Sequence, residues 1–159
     1  MRNVLILCTG NSCRSIIGEA LINHLGSGRF RAWSAGSHPT GQVNPGALAI
    51  LAKQGVPSAG YASKSWDSLT EVPFDLVITV CDNAAIETCP PFSGKALKAH
   101  WGIPDPAHVA GDASAVQAAF LKAYQQLEAR VRQLLHLPLN DLDDDALRAA
   151  VDLIGRQTP

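Results

Sequence analysis

Net charge, aromatic residues and long apolar runs are all scarce in this chain. Its 159 residues carry 13 Lys and Arg against 14 Asp and Glu, a formal charge of −1, and only 6% are aromatic. So balanced a chain argues against a nucleic-acid or membrane-surface protein, and attraction for an anion must be built locally. No apolar stretch approaches the roughly 20 residues that span a bilayer. Val4-Leu5-Ile6-Leu7 is too short for a secretory signal core and lacks a cleavage site, so the chain is expected in the cytoplasm. Internal repeats, low-complexity tracts and linkers are missing too, which makes one domain over residues 1–159 the expectation. Cysteine is limited to Cys8, Cys13, Cys81 and Cys89. Their spacings are not the Cys-x2-Cys of zinc knuckles and no His pairs flank them, so no metal site is expected. In a reducing compartment such thiols point to catalysis or redox chemistry rather than structural disulfides.

What is present centres on Cys8-Thr9-Gly10-Asn11-Ser12-Cys13-Arg14-Ser15. An apolar run precedes it, and Ile16 to Leu25 follows with helical apolar spacing. A strand feeding a loop that opens a helix makes an oxyanion site. The amides of Thr9, Gly10, Asn11, Ser12, Cys13 and Arg14 converge, and the helix N-terminus adds partial positive charge. Arg14 can clamp two oxygens of a tetrahedral anion. In that field Cys8 is expected to be a thiolate nucleophile, since such cysteines fall from about 8.5 to roughly 3.5–7.5. Gly10 and Asn11 stand where unusual dihedrals are needed. Ser15 either satisfies a free helix N–H or donates its hydroxyl to the Cys8 thiolate.

The remaining segments alternate. Strands are predicted at Asn3–Leu7, Phe30–Ser34, Phe74–Val80 and Ala96–Trp101. Helices are predicted from Ser15 to a stop at Gly26, from an Asn44 cap to about Gln54, from an Asp112 cap to before Pro138, and over about Asp143–Ile154, ending at Gly155. This order implies an α/β fold, a three-layer α/β/α arrangement on a four-stranded parallel sheet. Cys8 and Cys81 then both fall at the carboxyl ends of strands, where such sheets bind ligands. Residues 139–159 read as a C-terminal helical extension without a chemical role.

Two further elements carry chemistry. Cys81 and Cys89 bracket seven residues and precede Pro90-Pro91. In a regular helix they would lie about 12 Å apart, beyond the roughly 4.4–6.8 Å that a disulfide spans. A Cys81–Cys89 bond would therefore require the segment to loop or unwind, a redox-dependent change of shape. The bland alternative is two small buried hydrophobes. Asp105 sits between Pro104 and Pro106, in a stiff loop that suits a general acid. Its bland alternative is a turn residue.

Taken with Ser34-Ala35-Gly36, Val43-Asn44-Pro45 and His100-Trp101-Gly102-Ile103-Pro104-Asp105-Pro106, these elements resemble arsenate reductases built on the low-molecular-weight tyrosine phosphatase fold. The resemblance implies that Cys8 attacks arsenate held by the loop and Arg14, and that Asp105 protonates the departing oxygen. It implies a Cys8/Cys81/Cys89 disulfide relay, with no bound cofactor and with electrons from thioredoxin or from glutaredoxin and glutathione. Phosphate and sulfate would compete for the loop. The related phosphatases instead hydrolyse a phosphocysteine and carry tyrosines after the Asp-Pro pair. Here Ala107-His108-Val109 follows, so that aromatic wall is missing. A phosphatase, an oxyanion or redox sensor and a phosphocysteine carrier stay open as other classes. Asp105 speaks against the sensor and Arg14 against the carrier.

Some thioredoxin-linked relatives bind potassium through residues resembling Asn11, Glu19 and Ser34 plus a carboxylate. Lys64 stands where that carboxylate would be, so its ammonium is expected to replace the cation and pair with Glu19. Cys13 can either form a protective disulfide with Cys8 or simply pack under the loop.

Overall fold

In the computed structural model, which describes residues 1–81 and 96–157, a four-stranded parallel sheet has the order β2-β1-β3-β4. Its strands are β1 (Arg2–Leu7), β2 (Phe30–Ala35), β3 (Leu76–Thr79) and β4 (Leu97–His100). The helices are α1 (Arg14–Leu25), α2 (Pro45–Lys53), α3 (Ala113–Leu135) and α4 (Asp144–Gln157). The fold is α/β, as the alternation predicted. No helix of the described residues is long and apolar enough to cross a membrane.

Val4 to Leu7 form an unbroken apolar run because β1 is central and both its faces are covered. Ile6 lies against α1, where Gly18 leaves room for it. Leu5 is in register with Trp33, which meets Phe74 edge-on. Leu7 aligns with Ala35 and Thr79, and Thr79 with His100. That register brings the carboxyl ends of all four strands to one edge. Strand β3 is shorter than Phe74–Val80, although its ladder bonds reach out to Asp75 and Val80.

Apolar residues at three- and four-residue spacing predict one face of the long helix α3, Val116, Phe120, Ala123, Leu127, Val131 and Leu134; all but Val116, which is partly buried, are buried, and Asp112 caps the helix by accepting from the Ala115 amide. Helix α2 is capped as expected by Asn44, with Pro45 in its first turn. Helix α4 does not stop at Gly155. There a Cβ would collide with the His100 carbonyl and the Trp101 ring, so this glycine serves close packing of α4 on the end of β4.

Candidate active site

The Cys8–Ser15 loop leaves β1 at the carboxyl edge and runs into α1. Its carbonyls are turned away from the cleft by the neighbouring chain. Thr9 O accepts from the His38 amide at 3.0 Å, Gly10 O from the Thr40 amide at 3.0 Å, and Ser12 O from the Asn44 amide at 2.8 Å. A trans peptide sets its N–H opposite its C=O. The amides of Gly10, Asn11 and Cys13 are thereby directed inward, beside the unpaired first-turn amides of α1. Gly36 permits this seam, because a Cβ there would collide with the Cys8 and Thr9 carbonyls.

Asn11 takes the one positive φ (46°) of the described non-glycine residues and is fully buried. Its side chain accepts from the Lys64 amide at 2.9 Å and donates to Ser15 Oγ at 2.8 Å. Ser15 Oγ accepts this bond and keeps its own proton to donate. Neither expected partner, a helix N–H or Cys8, is hydrogen bonded to its hydroxyl. Gly10 does not have positive φ; it lies close to Thr40, whose Cγ2 would stand 3.3 Å from an added Cβ.

Across the loop lies a cleft of about 680 Å³ whose walls include Cys8, Cys13, Arg14, Thr40, Cys81 and Asp105. Among the described residues no aromatic ring lines it. Cys8, Cys13 and Cys81 are buried, and none of the three is bonded to another. Cys81 Sγ accepts from the Thr9 amide at 3.3 Å and lies 3.5 Å from Thr9 Oγ1. Arg14 donates to Ile103 O at 3.1 Å and pairs with Asp105 at 3.4 Å, while its buried Nε has no hydrogen-bond partner among the described residues. Asp105 also accepts from the Ala107 amide at 2.9 Å and from the Cys13 thiol at 3.5 Å. Cys89 lies outside the described residues.

The electrostatics depart from expectation at Cys8. The neighbouring Cys81 thiol pushes its pKa up, burial adds to this, and Arg14 opposes both. The direction is opposite to the lowering expected for the nucleophile. Burial first, and then the negative charge of Asp105, push Cys13 up to about 11. Behind the loop, Glu19 accepts from the Ser34 hydroxyl. Lys64 does not form the expected ion pair with it; the ammonium donates to Ala62 O at 3.0 Å. Burial pushes the Glu19 pKa up, against the Ser34 hydroxyl and the more distant Lys64 charge.

Sequence reasoning did not find Thr40, Ser63 or the Cys13–Asp105 contact. Thr40 and Ser63 reach the loop from segments without a local motif, and the last contact joins residues far apart in the chain.

Chemically, the edge assembles a buried thiol beside a second thiol, a guanidinium with a spare donor, a carboxyl group and inward amides. The chain is similar to known proteins over most of its length. An arsenate reductase of Bacillus subtilis is 32% identical over 135 residues, covering 84% of this chain and 96% of that protein. A solved arsenate reductase in its reduced state superposes with a TM-score of 0.67 at 26% identity, over 84% of this chain and 96% of that one. A thioredoxin-dependent arsenate reductase of Corynebacterium glutamicum gives 0.64 at 26% identity, over 85% of this chain; the match spans 60% of that longer chain. Residues 3–148 match the low molecular weight phosphotyrosine protein phosphatase family, and the chain belongs to it.

Proposed function

We propose that this protein reduces arsenate to arsenite. The observation that carries the reading is the second thiol: Cys81 lines the same cleft as Cys8 and is seated on the Thr9 amide. A phosphocysteine hydrolase needs no thiol in that place, whereas a reductase does. The names of the Bacillus and Corynebacterium relatives support the same activity.

Arsenate enters against the inward amides of residues 9–14, and the free Nε of Arg14 gives its guanidinium a further donor for a second oxygen. The incoming dianion takes the Cys8 proton. The thiolate attacks arsenic, and one hydroxyl leaves as water with the proton of Asp105, giving a sulfur–arsenic(V) bond. Cys81, its thiolate favoured by the Thr9 N–H, attacks Cys8 Sγ. The sulfur–arsenic bond breaks, its electron pair reduces arsenic to the trivalent state, and a Cys8–Cys81 disulfide remains. Cys89 attacks Cys81, frees Cys8 and leaves a Cys81–Cys89 disulfide. A dithiol protein returns the two electrons. The thioredoxin dependence of the Corynebacterium relative favours a thioredoxin over glutaredoxin with glutathione. Phosphate and sulfate, of like shape and charge, act as competitors.

The test is arsenate-dependent NADPH oxidation coupled to thioredoxin and its reductase, and separately to glutaredoxin, glutathione and glutathione reductase. Turnover in one system, lost in both Cys81→Ser and Cys89→Ser, is expected. Absence of turnover in either system, with p-nitrophenyl phosphate hydrolysis that survives both substitutions, would leave a phosphatase instead.

A further inference from the structure

We propose that Arg130, which does not line the cleft, is a positioning residue for Asp105. It grips the start of the loop that carries the acid while Arg14 grips its middle. The proposal rests on the acid role given to Asp105 above.

Arg130 lies in α3 and is buried, with 2% of its surface exposed. Its Nη1 donates to Trp101 O at 2.9 Å and to Gly102 O at 3.3 Å. The next carbonyl, Ile103 O, accepts from Arg14 at 3.1 Å. Three consecutive carbonyls are therefore held by two guanidinium groups. Beyond them Pro104 and Pro106 fix the local dihedrals and remove two backbone donors. Such a segment moves as a stiff unit whose direction is set where it begins. On the amide side it begins with Trp101 N–H on Thr79 O at 2.7 Å and Ile103 N–H on Val80 O at 3.1 Å. Helix α4 closes the other flank: the Trp101 indole donates to Val151 O at 2.8 Å, and Gly155 admits the close approach.

A buried cation is costly unless its donors are used. Burial lowers the pKa of Arg130 but leaves a guanidinium charged. One nitrogen, Nη1, holds both adjacent carbonyls, and the planar guanidinium fixes the direction in which it points. Small errors in the placement of a proton donor cost rate far more than they cost binding. The two carbonyls so held lie four and three residues before the acid.

The test compares Arg130→Met, which keeps length and loses every donor, with Arg130→Lys and with Asp105→Asn in the full chain. Thioredoxin-coupled arsenate turnover is followed, and hydrogen exchange is measured over residues 101–107 and 45–53. In Arg130→Met, kcat should fall about 10- to 100-fold with KM for arsenate within about threefold. The loss should resemble that of Asp105→Asn in falling on kcat rather than KM, and Arg130→Lys should recover part of the rate. Exchange should speed up about tenfold or more over 101–107 and stay unchanged over 45–53.

Turnover per folded molecule equal to wild type would overturn the proposal. So would a loss carried by KM rather than kcat, or exchange that rises equally in both segments. If Arg130→Met does not fold, the same criteria apply to Arg130→Lys. Should the wild type show no arsenate turnover, the acid role fails on its own. The exchange comparison then still decides whether Arg130 holds the loop, and unchanged exchange over 101–107 would refute it.

Discussion

Residues 8–15 and residues 101–107 form two walls of one cleft, yet they are held by different means. The first wall is fixed largely by backbone. Its carbonyls meet the amides of His38, Thr40 and Asn44, and one buried side chain, Asn11, ties its inside together. The second wall has backbone bonds at Trp101 and Ile103 and is otherwise fixed by side chains: Arg14 of α1, Arg130 of α3 and the indole of Trp101, which donates to the backbone of α4. A wall set by its own backbone presents amides at positions that persist whatever the side chains do, as anion binding requires. A wall set by side chains can be shifted by changing one residue, as tuning a proton donor requires.

Arg14 is where the two walls meet, so replacing it breaks the comparison most severely. Arg14→Lys keeps the charge but cannot hold Ile103 O, Asp105 and a bound oxyanion together. Loss of one oxyanion donor costs about 100- to 1,000-fold in kcat. Arg14→Lys should reach that range and should also loosen phosphate binding measured by calorimetry. A variant that lost rate but bound phosphate like wild type would place Arg14 in the second wall alone.

Asn11→Ala attacks only the first wall. It leaves the buried Lys64 amide contact without its acceptor and puts alanine at a left-handed φ of 46°. Together these should lower stability by about 2–4 kcal/mol in urea denaturation. Asn11→Gly restores the dihedral but not the hydrogen bonds, and should recover about 1 kcal/mol of the loss. Equal loss in the two variants would mean that the dihedral contributes nothing.

The same contrast decides how much could be read from the chain. The first wall is local: strand, Gly-Asn turn and helix follow one another, so the pattern from Val4 to Leu25 located it. The four strands and the caps at Asn44 and Asp112 were legible for the same reason. The second wall was legible only as Asp105 between two prolines. Its anchors lie in α3 and α4, and nothing in a helical stripe marks Arg130 as facing inward. Gly155 looked like a helix stop because a glycine that ends a helix and one that admits a neighbour are alike in sequence. The neighbour that opposes a lowered pKa at Cys8 was not legible, because the loop was weighed without Cys81, 73 positions away.

The smallest expected effect lies behind the first wall, at Glu19. Burial raises its pKa above the ordinary carboxyl range in the folded chain. As pH rises, the unfolded chain therefore gives up this proton first, at about 4.3. The stability contributed by protonated Glu19 is complete below that point and is lost as pH climbs through the raised folded value. Glu19→Gln has no such proton, so its urea midpoint should stay level across the window in which wild type falls. Lys64 lowers the Glu19 pKa from a distance. Lys64→Met should therefore extend the falling window of wild type to higher pH. Profiles of Lys64→Met and wild type that coincide would show that the ammonium does not reach Glu19. Exchanging sodium for potassium should leave the wild-type midpoint unchanged; a potassium-specific rise would instead put a cation, rather than Lys64, in charge of the carboxylate beneath the loop.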